Sequence, residues 1–449
     1  MWMRDLYLDL PEQVKVRHGF LPGNASAADR VAAAARNHTT WFTANALASD
    51  QEIHHQGGVL FTGPNGGDIA FPRLPATTAN QTLDAILDYY RRHRQQDAQG
   101  SIGVWSTLPT QPRDLGARLL ARGFEWGWQP RWMALKLTDI RLDFTVPDRL
   151  QIEVTDDPDW QVSDLPFFQP TDRSKLCRMS AQNPRRTWLF AASLEGQIVG
   201  QTVLHLTTGR YGVAGIYNVG VVPAARGQGI GRAVTAAACL YGRALGAHHA
   251  LLNSATHIYD RLGFETLGLG QSWWMHDAML AAPPPTPDQI RFVEALGRGR
   301  LSELTALPPS ALPGDLNARL PCGMNPMGVA VAMRQERSVR WLMHLGVLPT
   351  LIQCWDLGWR ASVESQLAAN PQLVNELSVN GLRTPLHQAI ERNDHDLFHL
   401  LLKADPDLTI QDKEYNGTPL GWAHHLGRAE LICELQGRLF AQAPDLPQS

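Results

Sequence analysis

Apolar and polar positions alternate along the first 278 or so residues with the period of two expected of half-buried strands, broken by stretches with the longer period of a helix. Thr187 to Ala192 and Ile198 to Leu206 read as strands joined by the turn Glu195-Gly196-Gln197, and Val213 to Val222 as a third. Gly229 to Ala247, rich in Ala and Leu, reads as a long helix. A short strand at Ala250-Leu251-Leu252, a helix around Ser254 to Leu262, and two strands near Phe264 to Leu267 and Ser272 to Met275 complete this order.

The preceding stretch repeats the order in weaker form. Gly58 to Phe71 predicts a hairpin around Pro64-Asn65-Gly66-Gly67, Gln81 to Arg94 a helix, Ile102 to Ser106 a strand and Asp114 to Arg122 a second helix. Gly123-Phe124 then precedes a strand ending at Leu137, and it occupies the place that Gly263-Phe264 holds later in the chain. A duplicated fold is the expectation. The boundary between the copies falls near Thr145-Val146-Pro147-Asp148, where a new alternating run begins at Leu150.

Beyond residue 281 the pattern turns helical. The run Ala281-Ala282-Pro283-Pro284-Pro285-Thr286-Pro287 lacks backbone donors at its prolines and favours an extended linker. Thr384-Pro385-Leu386-His387-Gln388-Ala389 and Thr418-Pro419-Leu420-Gly421-Trp422-Ala423 then recur 34 residues apart, the period and signature of ankyrin repeats. Asn325-Pro326-Met327-Gly328-Val329-Ala330 is a degraded copy, and the span up to Thr384 leaves room for one more, so four or five helix pairs are expected. The resulting division is 1–142, 148–280, a linker at 281–287, and repeats over 288–449.

Composition narrows the classes without choosing among them. A chain of 449 residues with 44% hydrophobic and 18% charged residues is an ordinary globular composition for about three domains. No apolar run is long enough to cross a membrane, and the acidic and basic positions at Asp5, Asp9, Glu12 and Lys15 argue against a secretory signal, which predicts a cytoplasmic protein. The net charge of −3 and the scattered arginines argue against nucleic acid as a partner. Five separated cysteines without a C-x-x-C pair predict neither disulfides nor a zinc site, and the histidine pairs lack a ligand spacing, so no metal is expected.

The chemistry gathers at Val219-Gly220-Val221-Val222-Pro223-Ala224-Ala225-Arg226-Gly227-Gln228-Gly229-Ile230-Gly231-Arg232, a strand that stops at proline and re-enters as a helix through close glycines. Unpaired amides and the positive end of a helix dipole make such a turn a site for phosphate. A P-loop is excluded because no lysine stands between Lys175 and Lys403, and the glycine spacing does not meet the G-x-G-x-x-G of a dinucleotide fold. The remaining pattern, Arg226-x-x-Gly229-x-Gly231, resembles the CoA loop of the GNAT superfamily of acyl-CoA N-acyltransferases. Tyr259 with Gly263-Phe264 matches a second motif of that family, and the resemblance covers about residues 148 to 278.

The resemblance implies two tandem α/β (α+β) GNAT folds followed by an all-α ankyrin solenoid. The first copy has no glycine loop, which implies a degenerate partner that does not bind CoA and walls the acceptor site, with Trp126, Trp128 and Trp132 as its aromatic candidates. In the second copy, the backbone of Val219 and Val221 would hold the pantetheine arm of acetyl-CoA. Arg226, Gly227, Gln228, Gly229, Ile230, Gly231 and Arg232 would bind its pyrophosphate, with Asn253 also near the cofactor. Tyr259 would protonate the departing thiolate. Many family members carry a glutamate on the strand before the loop, whereas Gly215-Ile216-Tyr217-Asn218 stands here, leaving Tyr217, Asn218 or His205 to order a water. The implied function is acetyl transfer to a small-molecule amine. Two alternatives remain open: an inactive scaffold that binds protein through its repeats, and acetylation of a protein docked on them.

Overall fold

The computed structural model describes residues 19–442 apart from 96–97, 99, 157, 159–161 and 378–381. The charged positions at residues 5 to 15 lie outside the described residues. The chain divides into two compact units, Met1–Pro284 and Pro285–Ser449, so the proline run marks the division.

Among the described residues the first unit contains thirteen strands: β1 (Glu52–Gln56), β2 (Val59–Gly63), β3 (Gly67–Ala70), β4 (Ile102–Trp105), β5 (Glu125–Trp126), β6 (Arg131–Lys136), β7 (Leu150–Thr155), β8 (Thr187–Leu194), β9 (Gln197–Leu206), β10 (Ala214–Val221), β11 (His249–Ser254), β12 (Glu265–Leu269) and β13 (Ser272–Met275). Its helices are α1 (Ala27–Ala48), α2 (Ala79–His93), α3 (Leu115–Ala121), α4 (Pro170–Ser180), α5 (Ile230–Ala244) and α6 (Asp277–Ala281).

Two mixed sheets result, one ordered β1-β2-β3-β4-β13-β5 and the other β12-β6-β11-β10-β9-β8-β7. They are built on one plan, but each borrows a strand from the opposite half of the chain. β6 enters the second sheet between β11 and β12, with Leu251 opposite Ala134 and Glu265 opposite the same residue on the other edge. β13 enters the first sheet between β4 and β5, with Trp273 facing Val104 and Trp126. An alternating strand pattern fixes which face is apolar but not which sheet the strand joins. The borrowed β6 carries Met133, Leu135 and, just beyond it, Leu137 into one core with Phe190, Leu204, Ala237, Cys239 and Leu252.

Two helices go beyond the sequence expectation. α1 starts at Ser26, whose hydroxyl accepts from the Asp29 amide at 3.1 Å, and its buried side chains include Asn37, His38 and Trp41 as well as alanines. Polar groups on the buried face obscure the apolar period that would announce it. α4 begins at Pro170, with Asp172 accepting from the Gln169 amide. The expected helix around Ser254 to Leu262 is corrected: β11 runs on to Ser254, and only Asp260–Leu262 forms a short 3₁₀ turn. The Ser254 hydroxyl accepts from the Thr256 amide at 3.0 Å, and Asp260 is held by Arg131 at 2.9 Å, both of which favour a turn over a helix.

The second unit contains ten helices among the described residues: α7 (Pro287–Arg298), α8 (Leu301–Ala306), α9 (Pro326–Ala332), α10 (Glu336–His344), α11 (Leu351–Asp356), α12 (Arg360–Ala369), α13 (Pro385–Arg392), α14 (His395–Lys403), α15 (Pro419–His425) and α16 (Ala429–Gln442). These pack as consecutive pairs, matching the upper number expected. The poorly marked repeat starts at Thr350, which caps α11 as Thr384 and Thr418 cap α13 and α15; Leu351 replaces the proline that marks the other copies. His387 Nε2 pairs with the Gly417 carbonyl at 3.0 Å, tying one repeat to the next.

Candidate functional site

β10 and β11 run parallel and pair only through Ala214–Ala250 and Gly215–Leu251. Beyond those residues they part, and a bulge between Tyr217 and Gly220, with Asn218 at φ 50°, turns β10 away. The corresponding parallel strands of the first sheet, β3 and β4, stay paired over four residues from Gly67–Ile102 to Ala70–Trp105. One sheet is therefore split by a wedge and the other is closed.

The glycine turn stands at the wedge. Gly227 and Gly229 both have positive φ, near 81° and 82°, and Gly229 is the N-cap of α5. A β-carbon at Gly229 would lie 2.3 Å from the Thr145 carbonyl oxygen, so only glycine fits there. The amides of Ile230, Gly231 and Arg232 occupy the first turn of α5, where no carbonyl four residues back within the helix can take them. Ile230 itself is buried in the core, so what it presents at the turn is its backbone. Arg226 is exposed and donates from Nε to the Val221 carbonyl at 3.2 Å; Gln228 is exposed; Arg232 lies over the Phe144 ring, 4.8 Å from its centroid. Val219 falls inside the bulge, outside the β9–β10 pairing.

Gly231 brings the second motif to the first, because a β-carbon there would touch Val221 and Ile258 at 3.6 and 3.7 Å. Tyr259 follows Ile258, packs at 6.0 Å against Phe264, and is 7% exposed. Burial, reinforced by Cys239, pushes its hydroxyl well above the ordinary tyrosine range, so it stays protonated at neutral pH. Asn253 stands two residues past the last paired position of β11, where its side chain hydrogen-bonds to the His38 imidazole.

The candidate water-ordering residues are otherwise engaged. His205 pairs Nδ1 with Thr187 Oγ1 at 3.1 Å and Nε2 with Thr40 Oγ1 at 3.3 Å, and burial, with Arg186 nearby, lowers its pKa to about 3. Tyr217 stacks on Trp41 with ring centroids 4.2 Å apart, and its hydroxyl meets both Asn37 Oδ1 and His38 Nδ1 at 2.7 Å. Asn218 is the left-handed residue of the bulge. Of the aromatic candidates, Trp132 is buried, with its ring centroid 5.1 Å from that of His38, Trp128 is 41% exposed, and Trp126 packs edge-on against Trp273.

Asn37, His38 and Trp41, supplied by α1, had no motif to reveal them. Their signal was the Ser26-x-x-Asp29 cap ahead of an alanine-rich run. A polar cavity of about 420 Å³ lined by Arg30, Lys136, Arg141 and His249 lies at the opposite end of β11 from the wedge, away from this cluster. Among the described residues no group of three His, Cys, Asp or Glu side chains could hold a metal ion, and no helix is long and apolar enough to cross a membrane.

Residues 150–264 match the acetyltransferase (GNAT) family model, and residues 382–413 match the ankyrin repeat. The chain thus carries a GNAT acetyltransferase domain followed by ankyrin-repeat structure. A curated relative, mycothiol acetyltransferase from Amycolatopsis mediterranei (strain U-32), is 29% identical over 180 residues, 36% of this chain and 46% of that protein, so the chain spans about half the length of the relative it matches. Similar solved structures include a GCN5-related N-acetyltransferase from Kribbella flavida, with 16% identity, 54% of this chain and 95% of that one, and a TM-score of 0.39. A tandem GNAT protein from the clavulanic acid biosynthesis pathway shows 14% identity, 59% and 98% coverage, and a TM-score of 0.38.

Proposed function

We propose that the chain transfers an acetyl group from acetyl-CoA to an amine of a small molecule, directly and without a covalent enzyme intermediate. The observation that carries this reading is the wedge between β10 and β11 opening beside a glycine turn whose amides have no helical partners. The amides of Gln228 to Arg232 take the pyrophosphate, with Arg226 at the rim and Gly227, Gly229 and Gly231 giving it room. The backbone of Val219, freed by the bulge, and that of Val221 hold the pantetheine arm in the wedge, and Asn253 borders it from the other side. These fixed dipoles polarise the thioester carbonyl.

The amine nitrogen attacks that carbonyl and forms the C–N bond while the carbonyl pair moves to oxygen. The oxyanion then collapses, the C–S bond breaks, and the sulfur takes a proton from the Tyr259 hydroxyl, which burial keeps protonated until that moment; the nitrogen gives its surplus proton to water and Tyr259 regains one from solvent, leaving the neutral amide and the free CoA thiol. In the first sheet β3 and β4 stay paired, and among the described residues no counterpart of the turn from Arg226 to Gly231 stands between β3 and α2, so this half supports the site without binding CoA.

Isothermal titration with acetyl-CoA tests the binding half, and binding no tighter than millimolar would overturn it. Tyr259→Phe tests the chemistry: acetyl-CoA affinity stays constant while kcat falls on the order of 10²-fold, as expected for loss of a general acid. The absence of a carboxylate on β10 between Gly215 and Val221 favours a second reading, a scaffold without turnover. A scaffold would be indifferent to this substitution.

A further inference from the structure

The cavity at the far end of β11 from the wedge is bordered by positive charge from three directions. α1 supplies Arg30, β6 supplies Lys136, which stands opposite His249 in the β6–β11 pairing, and the segment after β6 supplies Arg141. A glycine keeps the wall open: at Gly263, with φ 98°, a β-carbon would press to 3.1 Å from the Asp139 carbonyl oxygen and 3.7 Å from Arg141 Cγ. The volume of about 420 Å³ lies within the range of small-molecule sites.

The charges of the lining do not cancel. Two carboxylates share it, but Glu265 pairs with Arg30 Nη1 at 3.2 Å, and Asp139 accepts from the Thr138 hydroxyl at 2.8 Å. No ion pair engages Lys136 or Arg141 among the described residues. His249 registers the result on the inner side. It is 2% exposed, its Nε2 donates to the Pro22 carbonyl at 3.0 Å, and its Nδ1 is buried without a partner. Burial lowers its pKa, the Pro22 carbonyl works against that, and the positive charges of Arg30, His248 and Lys136 lower it further. The potential there is positive despite the two carboxylates nearby.

Such a lining recruits an anion, and its layout selects the shape. A planar carboxylate is met best by one guanidinium fork, whereas cations arriving from three separate elements suit the tetrahedral oxygens of a phosphate. Asn24 and Ala25 also border the cavity, just ahead of α1, so the positive end of a 22-residue helix adds to the field. We propose that this cavity is a second binding site, for a phosphate monoester, in which Arg30, Lys136 and Arg141 hold the phosphoryl oxygens and the remaining volume takes the organic body. It is separate from the cofactor turn and does not rest on acetyl-CoA occupying the wedge. Four residues of β11, about 13 Å at the rise of a strand, lie between His249 and Asn253 at the wedge.

The test uses the full chain saturated with CoA, so that the glycine turn is filled, and titrates glycerol 3-phosphate and inorganic phosphate by calorimetry. The wild type is expected to bind glycerol 3-phosphate with a submillimolar Kd and inorganic phosphate more weakly. Lys136→Gln and Arg141→Gln change exposed side chains and should each weaken glycerol 3-phosphate about tenfold, as for loss of one charge-assisted hydrogen bond, while the Kd for CoA holds. No saturable binding of either probe by the wild type, or affinities unchanged in both variants, overturns the site. Equal affinity for the two probes overturns the assignment to a monoester. Failure of the chain to bind CoA would sink the acyltransferase reading alone, because the same titrations without CoA, compared between wild type and the two variants, still decide the cavity.

Discussion

At the scale of single residues, the buried histidines make the stability of this protein a function of pH in a direction the structure fixes. Burial lowers His38 from the ordinary 6.5 to about 4. The unfolded chain therefore takes up a proton below 6.5 that the native state refuses until about 4, so the stabilisation is complete above 6.5 and is lost as pH falls through this window. The loss is about 1.4 kcal/mol per pH unit for each such group. His205, lowered to about 3, adds to it, whereas Asp68, which burial raises from 3.8 to about 6 despite the Trp105 indole donating to it, acts in the opposite sense over the lower part of the window. The wild-type slope mixes these groups, and comparison with His38→Phe separates one of them. Urea unfolding at pH 7 and pH 4 should show the wild type losing roughly 3 kcal/mol more than the variant over that interval. Parallel losses would mean that His38 does not remain neutral in the native state.

At the scale of elements, the exchange of β6 and β13 decides what can fold alone. Trp132, Met133, Ala134 and Leu135 of β6 are all essentially inaccessible, and the strand has a neighbour on each side. Burying the three large side chains contributes on the order of 6 kcal/mol, comparable with the net stability of a whole domain. The segment 150–264 that carries the family match leaves this strand out. A fragment of residues 147–284 is thus expected to show no cooperative melting transition, and to regain one with acetyl-CoA binding when mixed with residues 1–146. A cooperative melt of the isolated fragment would show that β6 is dispensable.

The same elements show where sequence could and could not be read. The glycine turn was legible as a turn because its geometry is local: φ values near 80° at Gly227 and Gly229 require glycine. The strands at Arg131–Lys136 and Ser272–Met275 were legible as strands, but their exchange was not, because alternation carries no record of the partner strand. α1 escaped for a related reason, since Asn37, His38 and Thr40 meet partners that lie 165 to 180 residues further along the chain, and only the folded structure brings those groups together.

At the scale of the whole molecule, the division at Pro284 places the proposed cofactor site in the first unit and the repeats in the second. Asp412 illustrates how the repeats hold themselves. Burial alone would raise its pKa, but the Trp422 indole at 2.8 Å and the amides of Tyr415, Gly417 and Glu414 hold it down to about 2. Its carboxylate therefore stays ionised and fixes the turn ahead of α15. Every residue proposed to touch acetyl-CoA lies within Met1–Pro284. Residues 1–284 alone are accordingly expected to bind acetyl-CoA with an unchanged Kd, within about twofold. What the tail does then follows from one further comparison. If the acceptor is a free small molecule, its KM is the same with and without residues 285–449. If the repeats recruit a protein or a carrier that bears the amine, as the concave faces of repeat stacks allow, KM rises sharply while kcat and the cofactor Kd hold, because only the local concentration of acceptor has been lost. A loss of acetyl-CoA binding on truncation would instead show that the cofactor site extends beyond the first unit.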